Sequence, residues 1–268
     1  MEQIMFVSSL VVSILLLLLL PSMGFNGYPK SVFLLAGQSN MVGKGGVVQN
    51  VWDGYVPPEC DPNPEILRLN KLLAWEEARE PLHRDNDIDY KDVNGIGPGM
   101  PFATTLLKRD PSSIFNNIGL VPAAVGGTTI SQWQRGHCLY NRFLARAEAA
   151  VLRGGIIRAM LWYQGESDTA THQDAIMYKT RLEQFFTDIR SDLLLPSLPI
   201  IQVALASGSK GANVSDIDIV RKAQLELELP CVKCVDAKGL KLEPDGIHLT
   251  TASQVQLGEM LADAFLQI

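Results

Sequence analysis

The sequence predicts an α/β protein, a three-layer α/β/α sandwich built on a five-stranded parallel sheet. Three observations point there. Short apolar, β-branched runs that read as buried strands recur along the chain, amphipathic helical stretches separate them, and three of the runs end in glycine among polar residues. With 268 residues, 47% of them apolar and 19% charged, the chain can bury a full core as a single domain, expected over residues 25–268.

The chain opens with Met1–Gly24, in which Ile4–Leu20 is almost wholly apolar and gives way to Pro21-Ser22-Met23-Gly24. Small residues at that spacing suit a signal peptidase, so a cleaved leader, a secreted product and no lasting membrane association are expected. An uncleaved anchor is the alternative, since the run approaches a membrane span and Glu2 stands where a positive charge is usual. Asn213-Val214-Ser215 would then be a glycosylation acceptor.

The first strand, Val32–Ala36, stops at Gly37-Gln38-Ser39-Asn40, a sequence made for a tight turn. The irregular segment Lys44–Pro98, rich in Pro, Gly, Asp and Asn, is expected to rim a cleft and to carry a hairpin of Glu65–Asn70 and Leu73–Ala78. A helix over Gly99–Lys108 puts Met100, Ala103, Leu106 and Leu107 on one face. Strand Ile118–Val125 runs into Gly126-Gly127-Thr128-Thr129, and the helix Asn141–Leu152 leads to strand Ile156–Tyr163 and Gln164-Gly165-Glu166-Ser167-Asp168. The helix Gln173–Leu193, strand Pro199–Leu205, a helix near Ser215–Glu228 and strand Cys231–Val235 follow. Leu242–Leu249 reads as irregular, and Thr251-Ala-Ser-Gln254 as a capping box opening a last helix to Leu266. Strands alternating with helices in this way give a flavodoxin-like strand order.

A net charge of −6 without clustered Lys or Arg excludes a nucleic-acid partner. Cys60, Cys138, Cys231 and Cys234 permit disulfides in an oxidising compartment without defining a pairing. The Cys231-Val-Lys-Cys234 spacing lies within a strand and has no second pair to complete a metal site, so neither metal nor cofactor is expected.

In a parallel sheet the three glycine-polar ends fall on one edge, where ligands bind. Ser39 sits on that edge. Asp245-Gly246-Ile247-His248 precedes the last helix, and three residues across an Asp-Gly turn let a carboxylate receive the imidazole Nδ1–H and leave Nε2 facing Ser39. An imidazole, which titrates near ~6.5 in model compounds, can take and return the serine proton. Ser39 N–H, Gly127 N–H and the Gln164 amide are the expected oxyanion donors, and Trp133 and Arg135 the expected substrate contacts. Each has a plainer alternative: Ser39 as a helix N-cap, Gln164 as a bridge between loops, Glu166 and Asp168 as helix caps. His83, His137 and His172 have no carboxylate so placed.

These blocks, GQSN at Ser39, GGTTISQW at Gly126–Trp133, WYQGESD at Trp162–Asp168 and DGIHLT at Asp245–Thr250, resemble the SGNH-type hydrolases. Within them they resemble the sialate O-acetylesterase (SASA) branch, carbohydrate esterase family 6, and its plant members. The resemblance spans Ser31 to Leu266 and implies an SGNH fold and a Ser-His-Asp esterase that removes O-acetyl groups from carbohydrate. It carries the nucleophile onto Ser39, the base onto His248, the orienting acid onto Asp245, and the oxyanion donors onto Ser39, Gly126 or Gly127, and Gln164. Plant-like members imply acetylated cell-wall polysaccharide as the partner. A noncatalytic sugar-binding module, or a triad esterase for lipid or aryl esters, are the alternatives weighed.

Overall fold

The computed structural model describes residues 28–84, 93–109, 115, 117–152 and 154–268; the leader expected at Met1–Gly24 lies outside them. Among the described residues, strands β1 (Ser31–Gly37), β2 (Val47–Val48), β3 (Val51–Trp52), β4 (Ile66–Leu69), β5 (Trp75–Glu77), β6 (Ile118–Pro122), β7 (Ile156–Tyr163), β8 (Ile200–Ala204) and β9 (Val232–Asp236) are interspersed with six α-helices. The helices are α1 (Ser39–Val42), α2 (Gly99–Arg109), α3 (Cys138–Val151), α4 (His172–Asp192), α5 (Val214–Leu225) and α6 (Thr251–Phe265). Among the described residues no helix is long and apolar enough to cross a membrane.

The main sheet has the order β5-β4-β6-β1-β7-β8-β9. Its five expected strands lie side by side as β6-β1-β7-β8-β9, all parallel, in the flavodoxin-like order. The sheet is two strands wider than the sequence suggested, because the hairpin of the long irregular segment joins its edge. Strand β4 pairs parallel with β6, and β5 closes the edge antiparallel to β4. Arg68 explains why this hairpin stays put: its side chain is buried and reaches Glu76 across the pair and the Leu82 carbonyl.

Burial of both sheet faces follows from continuous apolar strands, and β1 is buried at every position. On one face Phe33 of β1 meets Phe102 of α2 and Phe265 of α6 edge-on, with ring centroids 5.0 and 5.1 Å apart. On the other, Trp162 of β7 packs against Phe185 and Phe186 of α4, and Trp133 against Phe143 of α3. The last helix is capped one residue earlier than expected: the Thr250 hydroxyl accepts the Ser253 N–H, while Gln254 turns inward to the Asn40 carbonyl. All four cysteines are unpaired, and burial holds the Cys60 thiol far above its ordinary range.

Gly37 ends β1 at φ 130°, and a Cβ there would sit 2.0 Å from the Tyr163 carbonyl oxygen. No side chain fits between the two backbones, so glycine is obligatory at the turn that presents Ser39. Gly37→Ala should lower unfolding free energy by ~3 kcal/mol or more in a urea titration. A loss within ~0.5 kcal/mol would show that this close approach is not a constraint.

Candidate active site

All five parallel strands that carry the core end at one crevice, a cleft of about 690 Å³. Gln38 and Ser39 follow β1, Gly126 and Gly127 follow β6, and Glu166 and Ser167 follow β7. Ser209 and Lys210 follow β8, and Asp245 and His248 come from the segment after β9. Among the described residues of the segment 44–98, only Lys44 and the β2–β3 hairpin reach the cleft, so that segment forms its rim in part.

Ser39 opens the short helix α1 directly after the tight turn and is 6% exposed. Its Oγ lies 2.8 Å from His248 Nε2, and His248 Nδ1 lies 2.6 Å from Asp245 Oδ2. The other Asp245 oxygen, Oδ1, accepts the N–H groups of Ile247 and His248 at 2.8 and 3.0 Å, which fixes the carboxylate before the imidazole engages it. Burial alone would raise the Asp245 pKa, but the two backbone N–H bonds and then the imidazole outweigh it and hold the carboxyl below its usual range.

The loop that carries His248 is irregular in sequence yet held from several sides. An antiparallel bridge joins Leu242 to Leu249. Ser207 Oγ donates to the Ile247 carbonyl at 2.7 Å. Asn40, fully buried beside Ser39, accepts the Leu249 N–H on Oδ1 at 2.9 Å and donates from Nδ2 to Glu166 Oε1 at 2.7 Å. Sequence reasoning passed over Asn40, although its place beside Ser39 in the turn was the available signal.

Gly127 lines the cleft at φ 68°, with open space where a side chain would be, so its backbone can come close to a bound ester. Gln164 does not reach the cleft. It is fully buried, and its amide donates to the Thr128 carbonyl at 2.8 Å, Asp168 Oδ2 at 2.6 Å and Gln38 Oε1 at 3.2 Å. That corrects the expected donor role: Gln164 bridges neighbouring loops. Gln38, at the end of β1, lines the cleft instead, together with the amides of Gln49 and Asn50 on its rim. Gln38 Oε1 accepts from Gly165 N, Ser167 N and Gln164 Nε2, and its NH2 group has no acceptor among the described residues.

The two expected substrate contacts are also corrected. Trp133 is fully buried, its indole N–H donating to Thr128 Oγ1 and its ring packed 5.2 Å from Trp162, so it belongs to the core. Arg135 pairs with Asp192 and Asp188 of α4 and is not part of the cleft wall. None of His83, His137 or His172 lines the cleft.

A family model described as "Carbohydrate esterase, sialic acid-specific acetylesterase" (SASA) matches residues 29–267. The chain belongs to the SASA family of carbohydrate esterases. It is 52% identical over 246 residues to the "Probable carbohydrate esterase At4g34215" of Arabidopsis thaliana, covering 89% of this chain and 91% of that protein. The X-ray structure of the Arabidopsis thaliana protein AT4G34215 superposes with a TM-score of 0.84, covering 89% of this chain and 98% of that one. The crystal structure of NanS shares the fold at 16% identity and a TM-score of 0.71, covering 90% of this chain and 98% of that one.

In this SASA-family esterase, Glu166 and Asp168 are not surface helix caps; Thr171 caps α4 instead. Both carboxyls are buried bridges between strand-end loops, and burial pushes each up to about 7, against the opposing pull of Asn40 on Glu166 and of Gln164 and the Ile130 N–H on Asp168. Glu166 Oε2 makes no hydrogen bond to another described residue. The Glu166 pKa rises from its ordinary 4.5 on folding, so the folded chain holds a proton that the unfolded chain has released. Its contribution to stability is full below about pH 4.5 and is lost as pH rises through about 7, on the order of 3 kcal/mol. Urea titrations at pH 5 and pH 8 should show a smaller fall in stability for Glu166→Gln than for the wild type. Equal falls in both would place the carboxyl's titration elsewhere.

Proposed function

We propose that this carbohydrate esterase is an O-acetylesterase for polysaccharide or oligosaccharide, working through Ser39, His248 and Asp245 and an acetyl-serine intermediate. The observation that carries the reading is the continuous relay from Asp245 Oδ2 through His248 to Ser39 Oγ, 2.6 and 2.8 Å in its two links, at the mouth of the cleft. A serine hydroxyl is a weak nucleophile at its own pKa, and this contact gives it a base.

As Ser39 Oγ attacks the acetyl carbonyl carbon, its proton passes to His248 Nε2 and the carbonyl electron pair moves onto oxygen. Asp245 stabilises the imidazolium so formed and keeps the ring in the productive tautomer. The N–H of Ser39 at the start of α1, the N–H of Gly127 and the NH2 group of Gln38 are the donors available to the oxyanion, each such donor being worth roughly 3–4 kcal/mol in the transition state. Collapse of the tetrahedral species breaks the bond to the sugar oxygen, which leaves with the proton from His248. Water, deprotonated by His248, then attacks acetyl-Ser39, releasing acetate and restoring the hydroxyl. A leader at Met1–Gly24 that directs the product out of the cell fits a cell-wall substrate.

Ser39→Ala and His248→Ala should each lower kcat for acetate release from an acetylated saccharide by roughly 10³-fold or more, leaving a residue of rate from the oxyanion donors. Asp245→Asn should fall in the same direction by about 10²–10⁴-fold. Near-normal turnover in the Ser39 or His248 variant would overturn these roles.

A further inference from the structure

A second cleft, about 740 Å³, opens beside the first, and the two share Val48 and Glu243 as a common wall. We propose that it is a distal sugar subsite that receives a neutral saccharide unit of the chain whose acetyl group lies at Ser39. The proposal rests on the reading of the first cleft as the site of saccharide deacetylation.

Its floor and walls combine the two surfaces that sugar rings need. Tyr55 is 57% exposed, and Val48 and Val51, cross-strand partners in the β2–β3 hairpin, are 44% and 68% exposed. An aromatic ring and an apolar pair so exposed would be left in water by a chain with no ligand for them, whereas the C–H faces of a pyranose can cover them. Around them stand Asp53, Glu59 and Glu243, with no Lys, Arg or His among the described residues of the lining. Two of these carboxyls are fixed in place: Asp53 Oδ1 accepts the Tyr55 N–H, and Glu243 Oε1 accepts the Gly46 N–H, both at 2.9 Å. Each keeps its second oxygen as an acceptor for a hydroxyl hydrogen bond, and a fixed acceptor gives up little rotamer freedom on binding. The acidic lining selects against uronate or sialate units, whose own carboxylates it would repel, and so favours a neutral chain.

The wall between the clefts is rigid enough to set a register. The β2–β3 turn passes through Gln49 and Asn50, both at positive φ, a turn conformation that matches strand twist. Gly45 bridges Ile96, and Asn50 Oδ1 accepts the Val93 N–H at 3.0 Å. Because Glu243 lies two residues from Asp245, the same short loop holds the acid of the triad and one acceptor of the second cleft. A saccharide seated in the second cleft would therefore be indexed against the reacting serine.

The test compares acetylated xylo-oligosaccharides of one to six units with p-nitrophenyl acetate, using the full chain and the variants Tyr55→Ala and Tyr55→Phe. For the wild type, kcat/KM should rise about tenfold or more from one unit to four. Tyr55→Ala should flatten that rise, mainly through KM, while leaving p-nitrophenyl acetate turnover unchanged; Tyr55→Phe, which keeps the ring, should restore it. Acetylated galacturonate oligomers should show no comparable gain with length. Turnover of the acetylated saccharides with no dependence on length, or an equal gain with galacturonate, would overturn the subsite alone. Hydrolysis of p-nitrophenyl acetate with no acetate release from any saccharide would overturn the reading of the first cleft, and the subsite with it.

Discussion

The site depends on one buried side chain, the amide of Asn40, which ties together segments far apart in the chain. It accepts the N–H of Leu249, donates to Glu166 and, through its backbone carbonyl, receives the Gln254 amide. Ser39 and His248 are separated by 209 positions, and a contact at 2.8 Å between such distant residues has to be held by the loops that carry them. Each buried hydrogen bond contributes about 1 kcal/mol, but the larger effect is the penalty for leaving any partner unpaired, so the loops move together or not at all. Gly37 supplies the complementary constraint from the sheet side, by letting the β1 turn lie directly against the Tyr163 carbonyl.

The same tie accounts for the buried acids. Glu166 and Asp168 sit at the end of β7, between the serine loop and the glycine loop, and each accepts hydrogen bonds that join two strand-end segments. A carboxyl in that position is penalised for its charge, which is why both are pushed up to about 7. Asp245 shows the opposite balance, with two backbone donors and an imidazole on a partly exposed carboxylate. Within one crevice the fold thus lowers the pKa of one carboxyl, Asp245, and raises those of two neighbouring acids.

The parts that were legible in the sequence are those with short-range signals. Apolar runs, three of them ending in glycine, gave the five core strands, and the Asp-Gly turn gave the Asp245–His248 pair, because three residues span that distance whatever the rest of the fold does. What the sequence hid is direction. Gln164 and Gln38 are both amides at strand ends, and the turn at Gly165 with φ 133° sends one inward while the other faces the cleft. Trp133 and Arg135 lie two positions apart after a glycine loop; one packs under Trp162 and the other reaches α4, outcomes set by helix placement and not by local pattern. The edge strand β4 was visible only as half of a hairpin, since its pairing with β6 joins segments about fifty residues apart.

Whether the Ser39 hydroxyl is activated can be read directly by covalent capture. Incubation of the protein with a fluorophosphonate, followed by mass mapping of its peptides, should give one adduct per chain, on the peptide containing Ser39, and none in a His248→Ala variant. Absence of an adduct on the wild type, or its appearance on another serine while Ser39 stays unmodified, would contradict the assignment.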